Sequence, residues 1–371
     1  MRIAIYTDTI SEHQIPLALE LVREFGGDAV RYFYVKERAL HRKAMMGKDA
    51  IRYPWTSKIS DDRDSFKEWT ENAEILYTIY RAPALIERRV QKGLRTLYMS
   101  ERWLKPPFGA LRLLHPRYFM MARRMVRCFE SGLCTYLPTG IVAATDMFRI
   151  AHIVKGQIAK AISAKRLEFE PHVGGVICGV PWMRMWGYFV KPGAEPELRR
   201  SPHNPLRVLW VGRYLALKRV DTLVKAVAAL NNVELDLFGS GDGELRIKRM
   251  ANGCDRIRFH PPIPLDEVRK QMKNHDVYVM ASNGFDGWGA VVSEAIEEGM
   301  LVIGTDKAGA SATVLPKQNK FAVGDWKALA QKLDDIAQSR QSENTPQFVS
   351  SKGWRAKDAA RLIIDFACDK A

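Results

Sequence analysis

The chain has 371 residues, 47% of them apolar and 27% charged, ordinary globular usage that excludes a disordered, fibrous or low-complexity protein. That length exceeds what one hydrophobic core supports, so two domains of comparable size are expected. The net charge of +15 is concentrated: twelve Lys or Arg against two acids, Glu87 and Glu101, lie between Arg81 and Arg127, so this window carries +10.

The opening MRIAIYTDTISEHQIPLALELV lacks a basic stretch, apolar run and small-residue cleavage site, so it reads as a first strand and helix and not as a signal peptide. RIAIYT is that strand and the helix runs to about Phe25; AVRYFYV, ILYTIY, RTLYMS and LCTYLP are further strands. KPGAEPELRRSPHNP (191–205) has four prolines and no apolar periodicity, which makes it a linker and the domain boundary. Beyond it strand and helix alternate: LRVLWVG (206–212), a helix through VDTLVKAVAAL, VELDLFG (233–239), a helix to about Met250, RIRFH, the helix LDEVRKQMKN, DVYVMAS (276–282), a helix through AVVSEAIEE with Gly299 after it, and MLVIGTD. This alternation predicts an α/β fold built on parallel sheets covered on both faces. No stretch approaches the roughly 18 to 20 uncharged apolar residues needed to span a bilayer. Five scattered cysteines without CxxC or zinc spacing read as reduced thiols, and the expected location is cytoplasmic.

Ligands of open parallel sheets bind beyond the carboxyl ends of strands, so three loops are singled out. After LRVLWVG, Gly212 is followed by Arg213 and Lys218, two cations beside a glycine, an arrangement suited to a diphosphate. After VELDLF comes Gly239-Ser240-Gly241-Asp242-Gly243-Glu244, a Gly-rich turn opening a helix, with Gly239, Gly241 and Glu244 as phosphate or ribose contacts. After DVYVMAS comes Asn283-Gly284-Phe285-Asp286-Gly287-Trp288-Gly289, leading into a helix that holds Glu294. Its N-terminus offers unpaired N–H groups and a positive dipole end to a pyrophosphate, with Gly287, Trp288 and Gly289 around it.

GRYLALKRVDTLVKA, FGSGDGE and above all SNGFDGWGAVVSEAIEEGMLVIGTD, within residues 206–335, resemble the retaining glycosyltransferases of family 4, of the bacterial surface-polysaccharide type. The hallmark of that family is two acids with seven residues between them. The resemblance implies the GT-B fold, two Rossmann-like domains with parallel sheets facing a central cleft, and a metal-independent transfer of a hexose, with retention, from a nucleotide-sugar. It implies that Glu294 binds ribose, Asp286 contacts the donor sugar, and Arg213 and Lys218 hold the diphosphate. No cofactor is implied beyond the nucleoside diphosphate-sugar itself. The first acid is Asp here where the family usually has Glu, and His260-Pro261-Pro262 replaces the commoner Gly near the nucleotide base. Trp186-Gly187-Tyr188-Phe189 looks like the family's domain-closing strand. The expected domains are 1–190 on the acceptor side, 205–353 for the donor, and a helix at 354–371 crossing back.

On the acceptor side His13 is the leading polar residue, with a helix cap as its plainer role; His115 is its rival. Asp62-Arg63-Asp64 spells a metal-binding DxD but sits in a charged segment without a preceding strand and is read as a coincidence, so no metal is assigned. The basic window fits a solvated face, a nucleic-acid surface or an anionic membrane. It contains none of the usual RNA-binding motifs. The reading adopted places His115, Arg117, Arg123, Arg124 and Arg127 toward an anionic membrane and a saccharide or lipid-linked acceptor, with Trp103, Phe108, Tyr118 and Phe119 at headgroup level, and with no nucleic acid. A nucleotide-sugar epimerase of the same architecture and a nucleic-acid-binding protein are the alternatives.

Overall fold

The computed structural model describes residues 1–10, 13–37, 53–105, 107–163, 167–170, 172–189, 203–251, 253–339 and 354–367. Apart from residues 203–205, the expected linker lies outside them. They fall into two compact units: residues up to 189 together with 354–367, and residues 203–339.

In the first unit eight strands form one sheet: β1 (Ile3–Thr7), β2 (Val30–Tyr34), β3 (Thr56–Lys58), β4 (Ile75–Thr78), β5 (Arg95–Ser100), β6 (Cys134–Pro138), β7 (Val176–Ile177) and β8 (Val180–Arg184). Their order is β3-β2-β1-β4-β5-β6-β8-β7, parallel except for the β7–β8 pair. β4 and β6 are buried at every residue, as strands covered by helices on both faces must be. The chain therefore steps outward from β1 through β2 and β3, then restarts on the other side of β1 with β4, which puts the switch point between β1 and β4. The last strand of this unit in chain order is β8, at 180–184, and not the Trp186–Phe189 stretch: Trp186 forms a single bridge to Thr139, with its ring fully buried and its Nε1 donating to the Tyr77 hydroxyl at 3.1 Å. The helix Ala356–Ala367 belongs to this unit and packs against the helix Ile15–Phe25.

The second unit holds β9 (Leu206–Arg213), β10 (Val233–Ser240), β11 (Ile257–His260), β12 (Val277–Met280), β13 (Leu301–Thr305) and β14 (Lys320–Phe321), all parallel, in the order β11-β10-β9-β12-β13-β14. Its switch point lies between β9 and β12. The core is built by Val208, Trp210, Leu235, Leu237, Val277 and Ile303 from the strands, and by Leu223, Val224 and Val227 from the helix Val220–Ala228. These are two Rossmann-like α/β domains of the GT-B class.

One polar cluster braces the second sheet. Asp236 of β10 accepts from Arg258 Nε (2.9 Å), His260 Nε2 (2.6 Å) and His275 Nε2 (3.0 Å). Burial works to raise its pKa, but the bonds from Arg258, His275 and His260 outweigh that and hold the carboxyl well below the usual carboxylate range. A depressed folded-state pKa means stability that is fully present above the unfolded pKa of about 3.9 and is lost as pH falls toward the folded value. Asp236→Asn is accordingly expected to cost about 2 to 3 kcal/mol at pH 7, since it strips charge-assisted bonds from three donors. The deficit relative to the native chain narrows below about pH 4. Urea midpoints at pH 7 and in mild acid check this, and an unchanged midpoint at pH 7 contradicts it.

Candidate functional site

At the β9–β12 switch point three loops are joined by backbone hydrogen bonds. Asn283 N donates to Leu217 O at 2.9 Å, fastening the loop after β12 to the loop after β9. Tyr214 N donates to Ser240 O (3.0 Å) and Gly243 N to Tyr214 O (2.9 Å), fastening the loop after β9 to the one after β10. The strand ends approach so closely that a Cβ at Gly239 would lie 1.8 Å from Gly212 O, and only glycine is tolerated there. These bonds fasten the three loops to one another.

Lys218 Nζ lies 2.6 Å from Asp286 Oδ2, with side-chain exposures of 23% and 13%. Asp286 Oδ1 also accepts from Gly287 N at 3.1 Å. The next residues turn into the helix Ala290–Glu297 through Gly289 at φ 79°, the left-handed region that favours glycine. Glu294 lies one turn into that helix and is buried. The fully buried Tyr278 hydroxyl of β12 has its pKa raised by burial and, beyond that, by the carboxylates of Asp286 and Glu294. Both acids therefore lie within electrostatic reach of that hydroxyl. Arg213, the last residue of β9, is exposed and stands in register with Ser240 of β10.

Not every residue singled out from sequence faces a ligand. Trp288 is 1% exposed and its Nε1 donates to Ser293 Oγ at 3.1 Å; its ring anchors the loop from inside, since burying an indole demands a partner for its N–H. Glu244 opens the helix Glu244–Met250 and pairs with Lys248 at 2.8 Å. His260 stacks on Phe238 (4.4 Å, 15°) at the end of β11 while Asp236 holds its Nε2.

In the first unit His13 stacks on Tyr188 (4.8 Å, 13°), and the N-cap of the helix it precedes is Gln14. Gln14 and Tyr77 form a buried pair, with Tyr77 OH donating to Gln14 Oε1 at 2.8 Å. Sequence reasoning missed Asp8, which accepts from Tyr80 OH at 2.9 Å and pairs with Lys36 at 3.0 Å. Strand order was the signal: these three residues follow β1, β4 and β2 at the β1–β4 switch point. Asp62 caps the helix Arg63–Asn72 by accepting from Ser65 N at 3.3 Å, so one arm of the DxD is committed to that helix.

The basic window divides sharply. Arg89 is fully buried and donates to Thr70 O, Ala73 O, Arg95 O and Thr96 Oγ1; burial lowers its pKa to about 10. Arg102 forks onto buried Asp146 at 3.0 and 2.9 Å, and Arg124 onto Glu87, with Nε to Oε1 at 2.9 Å. Arg81 lies over Trp103, 4.4 Å from its ring centroid. Trp103 is fully buried and Tyr118 and Phe119 half-buried, so of the four aromatics expected at headgroup level only Phe108 is exposed, at 61%. His115, Arg117, Arg123 and Arg127 are exposed.

The family-model comparison falls on the unit with the three joined loops. Residues 194–348 match the family model of glycosyl transferases group 1. Among curated proteins, a lipopolysaccharide core biosynthesis glycosyltransferase of Rhizobium meliloti is 25% identical over 46% of this chain and 56% of its own length. A D-inositol 3-phosphate glycosyltransferase of Streptomyces scabiei is 26% identical over 44% of this chain and 42% of its own. The chain thus spans about half the length of the curated relatives it matches. Among solved structures, Anabaena HepE in complex with UDP aligns over 100% of this chain and 97% of its own with a TM-score of 0.57 at 12% identity, a likeness of fold.

Proposed function

We propose that this chain is a glycosyltransferase that moves a hexose, with retention and without a metal, from a nucleotide-sugar to a saccharide or lipid-linked acceptor in bacterial surface-polysaccharide assembly. The second unit takes the donor, and the first takes the acceptor at an anionic membrane face. One observation carries the reading: the loops that meet at the β9–β12 switch point set Lys218 against Asp286 at the N-terminus of the helix bearing Glu294. As the bond from the anomeric carbon to the diphosphate breaks, positive charge grows on the sugar and negative charge on the leaving phosphate. Lys218, Arg213 and the helix N-terminus stabilise the latter, while Asp286 orients the sugar. Glu294 accepts from the ribose hydroxyls. The family-model match and the resemblance of FDGWGAVVSE to the two-acid motif support this assignment.

The test is a thermal-shift panel of nucleoside diphosphates and their sugars, in which a ligand at about 100 times its dissociation constant stabilises by roughly 2.7 kcal/mol. Glu294→Gln is expected to weaken binding of the nucleoside diphosphate roughly tenfold or more, because a hydrogen bond to a charged acceptor contributes about 1.5 to 3 kcal/mol. Calorimetry decides it: equal affinities in native and variant protein remove Glu294 from the ribose, and a panel without any stabilising nucleotide removes the donor site.

A further inference from the structure

We propose that residues 108–127 form a docking element that seats the first unit on an anionic bilayer by inserting an apolar edge between lipid headgroups. Gly109–Leu114 is a 3₁₀ helix, in which side chains three apart eclipse one another. Phe108, Leu111 and Leu114 follow that spacing and share one edge. They are 61%, 64% and 78% exposed, while Leu113 on the other side is 7% exposed and ties the turn to the core. The helix Pro116–Glu130 buries Ala122, Met125, Val126, Cys128 and Phe129. On its opposite face Met120, Arg123 and Arg127 stand at i, i+3 and i+7, one stripe along the helix, with Met120 63% exposed and both arginines exposed.

Four of the ten large apolar side chains exposed among the described residues thus fall within residues 108–120, and no acid occurs between Phe108 and Arg127. A protein partner of ordinary composition would need carboxylates to match the arginines and a groove to match the edge; an anionic bilayer supplies both at once, phosphates for the guanidinium groups and acyl chains for the leucines. The aliphatic Leu111 and Leu114 have no face on which a base could stack, which sets RNA aside. The Arg124–Glu87 pair acts from behind, fixing the helix Pro116–Glu130 to the helix Pro83–Gln91. The proposal deepens the membrane part of the functional reading and is tested without relying on the donor site.

The experiment is co-sedimentation with vesicles of phosphatidylcholine alone and with added phosphatidylglycerol, across a salt series. The native chain is expected to pellet with the phosphatidylglycerol vesicles and to be released as salt rises, since screening shortens the attraction to about 8 Å at physiological ionic strength. Leu111→Ser with Leu114→Ser is expected to lower partitioning at least tenfold, and Arg123→Gln with Arg127→Gln to abolish the preference for anionic lipid. Unchanged thermal transitions certify that both variants fold. A native chain that stays in the supernatant at low salt overturns the proposal, as does a leucine variant that pellets like the native chain. So does a native dimer that the leucine variant dissolves, or equal binding of an RNA oligonucleotide that the same substitutions abolish. Loss of the donor reading in the nucleotide panel would leave the vesicle result standing.

Discussion

Lys218→Ala and Arg213→Ala are each expected to lower turnover by about a hundredfold or more, in line with removing one preorganised charge from a developing oxyanion. The two changes are not equivalent. Arg213 is exposed at the end of β9, so its loss removes attraction for the diphosphate and little else. Lys218 is held at 2.6 Å from Asp286, so its loss also leaves a carboxylate facing the position the phosphates take. The penalty for Lys218→Ala therefore exceeds that for Arg213→Ala, and adding Asp286→Asn to Lys218→Ala restores part of the nucleotide affinity that Lys218→Ala removes. Steady-state kinetics of transfer, with nucleotide-sugar hydrolysis as a second readout, measure the first claim; calorimetry measures the second. Changes below about threefold in both single variants would take the diphosphate away from this loop.

The second unit was largely legible in sequence because its ligand loops directly follow its strands, of which VELDLFG alternates apolar residues with Glu234 and Asp236 while LRVLWVG is a near-continuous apolar run broken only by Arg207. A parallel strand buried on both faces has no polar side to confuse its pattern with that of an amphipathic helix. The first unit was harder. β3 is Thr56–Lys58, three half-buried residues with no apolar signal, and the strand at 180–184 carries Pro181 and Arg184. The strand was expected instead at Trp186–Phe189, from the family resemblance, where the structure buries Trp186 against Tyr77. Charge counting failed in the same way. It cannot distinguish Arg89, sunk among three backbone carbonyls and Thr96, from Arg123 and Arg127 on an open helix face. The period-three spacing of Phe108, Leu111 and Leu114 was present in the sequence, but it carries meaning only once that turn is known to be 3₁₀. Asp8, Lys36 and Tyr80 required the strand order, because they follow three different strands and share no local motif.

Asp286→Asn is expected to tighten binding of the bare nucleoside diphosphate while impairing sugar transfer, two effects of opposite sign from one atom's exchange. Lys218 has a partner at 2.6 Å in Asp286, and that pair is mostly shielded, at 23% and 13% side-chain exposure. A diphosphate that recruits Lys218 must draw it from Asp286. An intact nucleotide-sugar compensates the carboxylate with sugar hydroxyls, which donate to it. A bare nucleoside diphosphate brings no such donor and carries more negative charge, so it meets Asp286 as a repelling neighbour. Under the proposed donor-site reading, the carboxylate is thereby expected to favour the substrate over the product of the same reaction and to speed product departure. Asparagine fills the same volume, keeps an oxygen for the Gly287 N–H that Asp286 now accepts, and releases Lys218. The expected gain for the bare nucleotide is roughly three- to tenfold, the size of a partly shielded ion pair, while affinity for the nucleotide-sugar falls and turnover with it. Asp286→Glu retains the carboxylate and should retain weak product binding. A residue that served only to brace the loop would lose affinity for both ligands together on substitution, so parallel weakening in calorimetry would return Asp286 to a structural role and leave product release to be decided elsewhere in the site.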